Sequence, residues 1–191
     1  MTAGSARLLE ISGYAIVSDD DKIAGRDGLI PASLRNEKDW DFYQRALARS
    51  DVIVFGHRSH EAEPNERGDC RLVISRGVAA GLERRSDGWW WNPARVSWEE
   101  TATRLLPQGG DVAVPGGQGV FDLFLEIGFD AFYLSRAHGV TLPGGRALFA
   151  ACDTGLSAAA VLANAGLSVS ETIALDPKQG VEMNVWRRRQ P

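Results

Sequence analysis

A chain of 191 residues is long enough for one domain with a substantial buried core. Its 21 basic and 25 acidic side chains leave a formal charge of −4, which argues against nucleic acid or an anionic membrane as a partner. No apolar run reaches spanning length, and Cys70 and Cys152 lie far apart in sequence, as expected of reduced thiols in a cytoplasmic protein. His57, His60 and His138 form no ligand pattern, CxxC and HExxH are missing, and no metal centre is expected. Residues 1–6 lack a charged n-region and an apolar h-region, so no signal peptide is expected.

Residues 11–17 predict a first strand, followed over 18–28 by an acidic, glycine-bearing loop that contains Lys22-Ile23-Ala24-Gly25. Trp40, Tyr43 and Leu47 recur at helical spacing within 36–50. Asn36 suits the N-cap, and Glu37 and Asp39 complement the dipole in the first turn. Residues 51–56 form a continuous apolar run ending in Gly56, as in a strand buried on both faces of a parallel sheet, and 71–75 repeat that character. Residues 83–93, with Trp89-Trp90-Trp91, read as a polar and aromatic surface loop with a potential interaction patch. A helix over 98–106, a strand over 112–114, a helix over 118–127 and a strand over 131–135 follow. Residues 173–175 and 181–186 read as a closing antiparallel pair, and Arg187-Arg188-Arg189 as a solvated tail. This alternation predicts a single three-layer α/β/α domain over residues 1–191, with a mainly parallel central sheet and antiparallel C-terminal strands.

The most informative stretch is residues 111–121, Asp111-Val112-Ala113-Val114-Pro115-Gly116-Gly117-Gln118-Gly119-Val120-Phe121. Its apolar spacing changes from strand-like to helical across two glycines. Such a turn lets backbone approach a ligand closely, and the bare N–H groups opening the helix can hold phosphate.

The order of these motifs resembles the dihydrofolate reductase superfamily, which includes the reductase domain of riboflavin biosynthesis. Tyr14-Ala15-Ile16-Val17 and Lys22-Ile23-Ala24-Gly25 resemble its opening strand and turn near the nicotinamide. Phe55-Gly56-His57-Arg58-Ser59-His60 resembles its Met-Gly-Arg-x-Thr-Tyr segment, and Ile74-Ser75-Arg76 the strand end on the adenine side. Pro115–Phe121 resembles its Gly-Gly-x-x-[Val/Leu]-[Tyr/Phe] phosphate loop. Asp130-Ala131-Phe132-Tyr133-Leu134-Ser135 and Gly144-Gly145-Arg146-Ala147-Leu148-Phe149 complete the series.

The resemblance implies an NADPH-dependent reductase acting on a pteridine, pyrimidine or related heterocyclic or carbonyl compound. Ala15, Ile23, Gly25, Gly56, His57, Arg58, Ser59, Ser75, Arg76, Gly116, Gly117, Gln118, Gly119, Val120 and Phe121 are its implied cofactor contacts. His57, Arg58 and Arg76 are candidate cations for a 2′-phosphate. Asp39 or Glu37 would carry the proton chemistry with Ser135, and Tyr43, Pro115 and Tyr133 would meet substrate. Pro31-Ala32 replaces the family's Pro-Trp, and Pro115 replaces an apolar residue before Gly-Gly; both departures argue against folate itself. Two alternatives stay open: a riboflavin-pathway ribosylaminouracil reductase, and a nucleotide-binding module without catalysis. The riboflavin-reductase resemblance also implies a homodimer.

Overall fold

The computed structural model describes residues 8–63, 65, 68 and 70–189; residues 1–6, where no signal peptide is expected, lie outside the described residues. Among the described residues one sheet holds β1 (Leu9–Val17), β3 (Val52–Gly56), β4 (Arg71–Ile74), β5 (Leu82–Arg85), β6 (Gly88–Trp91), β7 (Gly110–Val114), β8 (Ala131–Ala137), β10 (Leu167–Asp176) and β11 (Val181–Arg188). Their order is β10-β11-β8-β1-β7-β3-β4-β6-β5. The centre, from β8 to β6, is parallel, and β5, β10 and β11 pair antiparallel with their neighbours. Two short strands, β2 (Lys22–Ala24) and β9 (Arg146–Ala147), pair beside it.

Among the described residues, five α-helices lie between the strands: α1 (Glu37–Arg49), α2 (His57–Ala62), α3 (Trp98–Leu105), α4 (Gln118–Ile127) and α5 (Ala158–Asn164). Strand alternation separates two faces. On one face Val54, Val112, Val114 and Phe132 meet Trp98 of α3, Phe121 and Phe124 of α4 and Leu162 of α5 in the main core. On the other, Ile53, Phe55 and Ala113 form a smaller cluster against which Tyr14 and Leu47 of α1 pack. Although its sequence is strongly periodic, no side chain of α1 is fully buried, and Trp40 remains 54% exposed. Its inner face is half-buried, with Leu47 against the sheet and Asp39 and Tyr43 beside a cavity.

Three sequence expectations change. The tryptophan run is strand β6, not a surface loop. Alternation sends Trp91 into the main core against Trp98 and Phe124, while Trp90 joins Val73 and Val78 on the opposite face. Only Trp89 is left half-buried, so the run supplies no exposed aromatic patch for pairing between copies. The basic end is exposed but is not a tail: Arg187 and Arg188 belong to β11, Arg188 donates to the Phe129 carbonyl at 2.8 and 3.1 Å, and Arg187 reaches Glu10 and the Tyr133 hydroxyl. The acidic loop is stitched in place. Asp19 accepts from Gly139 N–H at 2.7 Å, Asp20 from Leu142 N–H at 2.9 Å, and Asp21 from Ala158 N–H at 2.9 Å while pairing with Arg136. These carboxylates fix the start of β2, which was expected to remain loop.

Candidate active site

A cleft of about 410 Å³ opens beside the carboxyl ends of β3 and β7, the usual ligand crevice of an open α/β sheet. Its first wall is the turn between β7 and α4. Gly116 and Gly117 adopt φ of +102° and +35°, a region that side chains rarely occupy. An ideal Cβ on Gly117 or Gly119 would meet no protein atom within 4 Å, so the space in front of both is open. Gly117 is the N-cap of α4, and no side chain caps the helix. Exposed N–H groups and the positive end of the helix dipole therefore converge on open space, an arrangement suited to phosphate. Arg58 and Ser59, in the first turn of α2, line the same cleft.

The second wall is α1. Asn36 caps it by accepting N–H bonds from Lys38 and Asp39 at 3.1 Å each, and its amide donates to Asp176 and Gln179. Asp39, in the first turn of the helix, thereby lines the cleft together with Ser135, which is 1% exposed. Burial raises the Asp39 carboxyl above its ordinary range, and the Ser135 bond offsets part of that rise. Burial likewise pushes the Tyr43 phenol up, keeping it neutral. Trp40 and Tyr43 pack with ring centroids 5.4 Å apart at the mouth. The third wall is β2, the loop after it and β9, which contribute Ile23, Ala24, Ile30 and Arg146.

Ala15, Ile23, Tyr43, Arg58, Ser59, Pro115, Gly116, Gly117, Phe121 and Tyr133 thus come together with Asp39 and Ser135. The other candidates lie outside the cleft. Glu37 is exposed, two helix positions from Asp39 and so about 200° around the axis. His57 turns to the edge of Trp90 and pairs with Glu61 at 3.3 Å. Ser75 accepts from Gly77 N–H, and Arg76 is exposed. Gln118 is drawn to Asp153, which also binds Lys22. Gly25 closes the turn to Leu29, Gly56 packs toward Val120, and Val120 is itself buried in the core. Tyr14, Phe42, Phe55, Glu63 and Met183 line the cleft without having been singled out for it. Strand alternation opposite Tyr133 and Ser135 was the available signal for Tyr14 and Met183, once register was known.

Compared by sequence, the chain matches no protein-family model and no curated protein. Its fold matches several solved structures. One is dihydrofolate reductase from Enterococcus faecalis complexed with NADP(H) and RAB-propyl, at 13% identity and a TM-score of 0.68, covering 95% of this chain and 97% of that one. A pyrimidine reductase-like protein from Corynebacterium diphtheriae gives 12% and 0.68 over 96% and 93%. A diaminohydroxyphosphoribosylaminopyrimidine deaminase/5-amino-6-(5-phosphoribosylamino)uracil reductase from Thermotoga maritima gives 14% and 0.65, over 95% of this chain and 57% of that one. The chain has the dihydrofolate-reductase-like fold. Among the described residues, no helix is long and apolar enough to cross a membrane.

Proposed function

We propose that the protein is an NADPH-dependent reductase transferring a hydride to a small heterocycle, a pteridine or pyrimidine, with Asp39 as its proton-handling group. The observation that carries this reading is a half-buried carboxyl, Asp39, set in one cleft with the buried Ser135, a glycine turn and an uncapped helix start. The cofactor fits the residues present. The space before Gly117 admits backbone-to-phosphate approach, and Arg58 and Ser59 add donors in the same cleft. When bound, the nicotinamide would supply the hydride.

The chain's own contribution is orientation and proton control. Tyr14, Tyr43 and Phe42 offer flat apolar faces to a planar ring. The Ser135 hydroxyl fixes the Asp39 carboxyl, and burial keeps part of it protonated at higher pH than an exposed aspartate, as a donor to a ring nitrogen requires. The neighbouring pyrimidine reductase-like protein supports a pyrimidine. Edge strand β10, with Val169 46% exposed, is the surface on which a second copy would pair.

The deciding experiment follows NADPH absorbance with a panel of pterins and ribosylaminopyrimidines. Turnover of one class, lost in Asp39→Asn, supports the reading. Tight NADPH binding without turnover of any compound would instead favour a nucleotide-binding module.

A further inference from the structure

Helix α2 is 6 residues long, and His60 is its one buried side chain, at 6% exposure. A helix that short does not hold its place by itself, so its setting depends on what His60 touches. The ring meets the hairpin of β5 and β6. Its Nε2 lies 2.8 Å from Oδ2 of Asp87, which sits in the turn between those strands. It also stands edge-on to Trp90, with centroids 5.5 Å apart and 89° between the planes.

The carboxylate is aimed before His60 arrives. Its other oxygen, Oδ1, accepts from Trp90 Nε1 at 2.9 Å, and Trp90 is packed with Val73 and Val78. The Asp87 carbonyl accepts in turn from the Asn65 amide at 3.1 Å, so the segment after α2 is tied to the same residue. The two ring nitrogens of His60 are not equivalent. Nδ1 is buried without a hydrogen-bond partner among the described residues. In the neutral ring a proton on Nδ1 would lack an acceptor, whereas one on Nε2 faces a carboxylate, so Asp87 selects the Nε2–H tautomer.

Arg58 stands two residues before His60, about 200° around the helix axis. The ring therefore faces the hairpin while Arg58 is exposed and lines the cleft. Asp87 itself does not line the cleft. We propose that Asp87 and His60 are positioning residues for cofactor preference: their bond sets the rotation of α2 and, through it, the direction of Arg58 toward a 2′-phosphate. This rests on the NADPH reading of the cleft. Charge-assisted bonds need both distance and angle, so a small turn of α2 costs the Arg58 contact. The glycine turn belongs to β7 and α4, so the other phosphates keep their contacts and the loss is confined to the 2′-phosphate.

The test titrates NADPH and NADH into the full chain by cofactor fluorescence. Asp87→Ala, at an exposed turn position, should weaken NADPH about tenfold, as for loss of a charge-assisted bond, and NADH by less than about twofold. His60→Gln places an amide nitrogen near the position of Nε2 and should keep the preference. His60→Leu fills the space without a donor and should lose it, which separates the hydrogen bond from packing; if it does not fold, Asp87→Ala decides. In an Arg58→Ala background, adding Asp87→Ala should change neither affinity further. A wild-type preference for NADPH that survives in Asp87→Ala, or a loss that adds to that of Arg58→Ala, would overturn the proposal and leave the NADPH reading standing. Equal wild-type affinities for the two cofactors would overturn both.

Discussion

An ideal Cβ on Gly116 would stand 2.2 Å from Cε2 of Phe121, so the glycine and the ring claim the same space. Phe121 is 1% exposed in the core of α4 and cannot yield. Gly117, one residue on, would present its Cβ to open cleft. The two glycines therefore predict different failures. Gly116→Ala combines overpacking with a positive φ and should cost at least about 2 kcal/mol in denaturant unfolding. Gly117→Ala should cost roughly 1 kcal/mol for its φ alone and still fold. Its methyl group would stand where phosphate must approach, so NADPH affinity should fall sharply in cofactor-fluorescence titrations.

Asp39 and Glu37 separate by chemistry. Asp39→Asn should lower turnover by about 10²–10⁴-fold with cofactor affinity retained, and Glu37→Gln should do little. The pH dependence has a definite sign. A folded pKa raised above the ordinary 3.8 means that the native state holds the proton longer than the unfolded chain. Its stabilising contribution is present below 3.8 and is lost as pH rises through the folded value. Asp39→Asn should therefore gain stability relative to wild type at neutral pH but not at pH 3. Wild-type kcat/KM should fall on the alkaline side of the Asp39 titration. Parallel unfolding curves and a pH–rate profile check both statements.

The local devices were legible because each is written in adjacent residues. Asn36 before an acidic first turn gave the cap of α1, and adjacent glycines followed by 3.6-residue spacing placed α4 at Gln118–Ile127. The failures involve distant partners. Three consecutive tryptophans look surplus to one core until β6 is inserted with a covered face on each side. Glu37 and Asp39 both complement the helix dipole, and only the opposition of Ser135 on β8 distinguishes them. The stack of Tyr14 on Tyr133 depends on the two lying opposite each other in parallel register, a pairing that no local pattern specifies. The helices α2 and α5 are too short for periodicity to reveal, at 6 and 7 residues.

Of the three cations proposed for a 2′-phosphate, only Arg58 lines the cleft. Losing a charge-assisted bond costs about 1.5–3 kcal/mol, or roughly 10- to 150-fold in affinity. Arg58→Ala should therefore weaken NADPH by that factor and NADH much less. Arg76→Ala and His57→Ala should change the preference by less than about threefold, since His57 is engaged with Trp90 and Glu61. Side-by-side titration of both cofactors decides the point, and equal affinity in the wild type would remove the assignment.

Asn36 links the start of α1 to the far edge of the sheet. Its Oδ1 receives the N–H groups of Lys38 and Asp39, while its Nδ2 donates to Asp176 Oδ2 at 3.1 Å. The Asp176 carboxyl is held below its ordinary value first by this bond, with Lys38 adding a favourable charge. A depressed folded pKa gives stability that is present above 3.8 and lost as pH falls through the folded value. Asn36→Ala removes both functions of the side chain. Loss of the cap should cost about 1 kcal/mol at neutral pH, and the acid limb of the stability curve should become shallower because Asp176 no longer gains its partner on folding. Fraying of the first turn would also release Asp39 from its fixed position, so kcat should fall while cofactor affinity, set at Gly117 and Arg58, stays within about twofold. Asn36→Asp keeps the capping acceptor but places a second carboxylate against Asp176. It should retain kcat near neutral pH only if the cap alone positions Asp39. An Asn36→Ala variant with wild-type kcat would show that Ser135 alone holds the carboxyl.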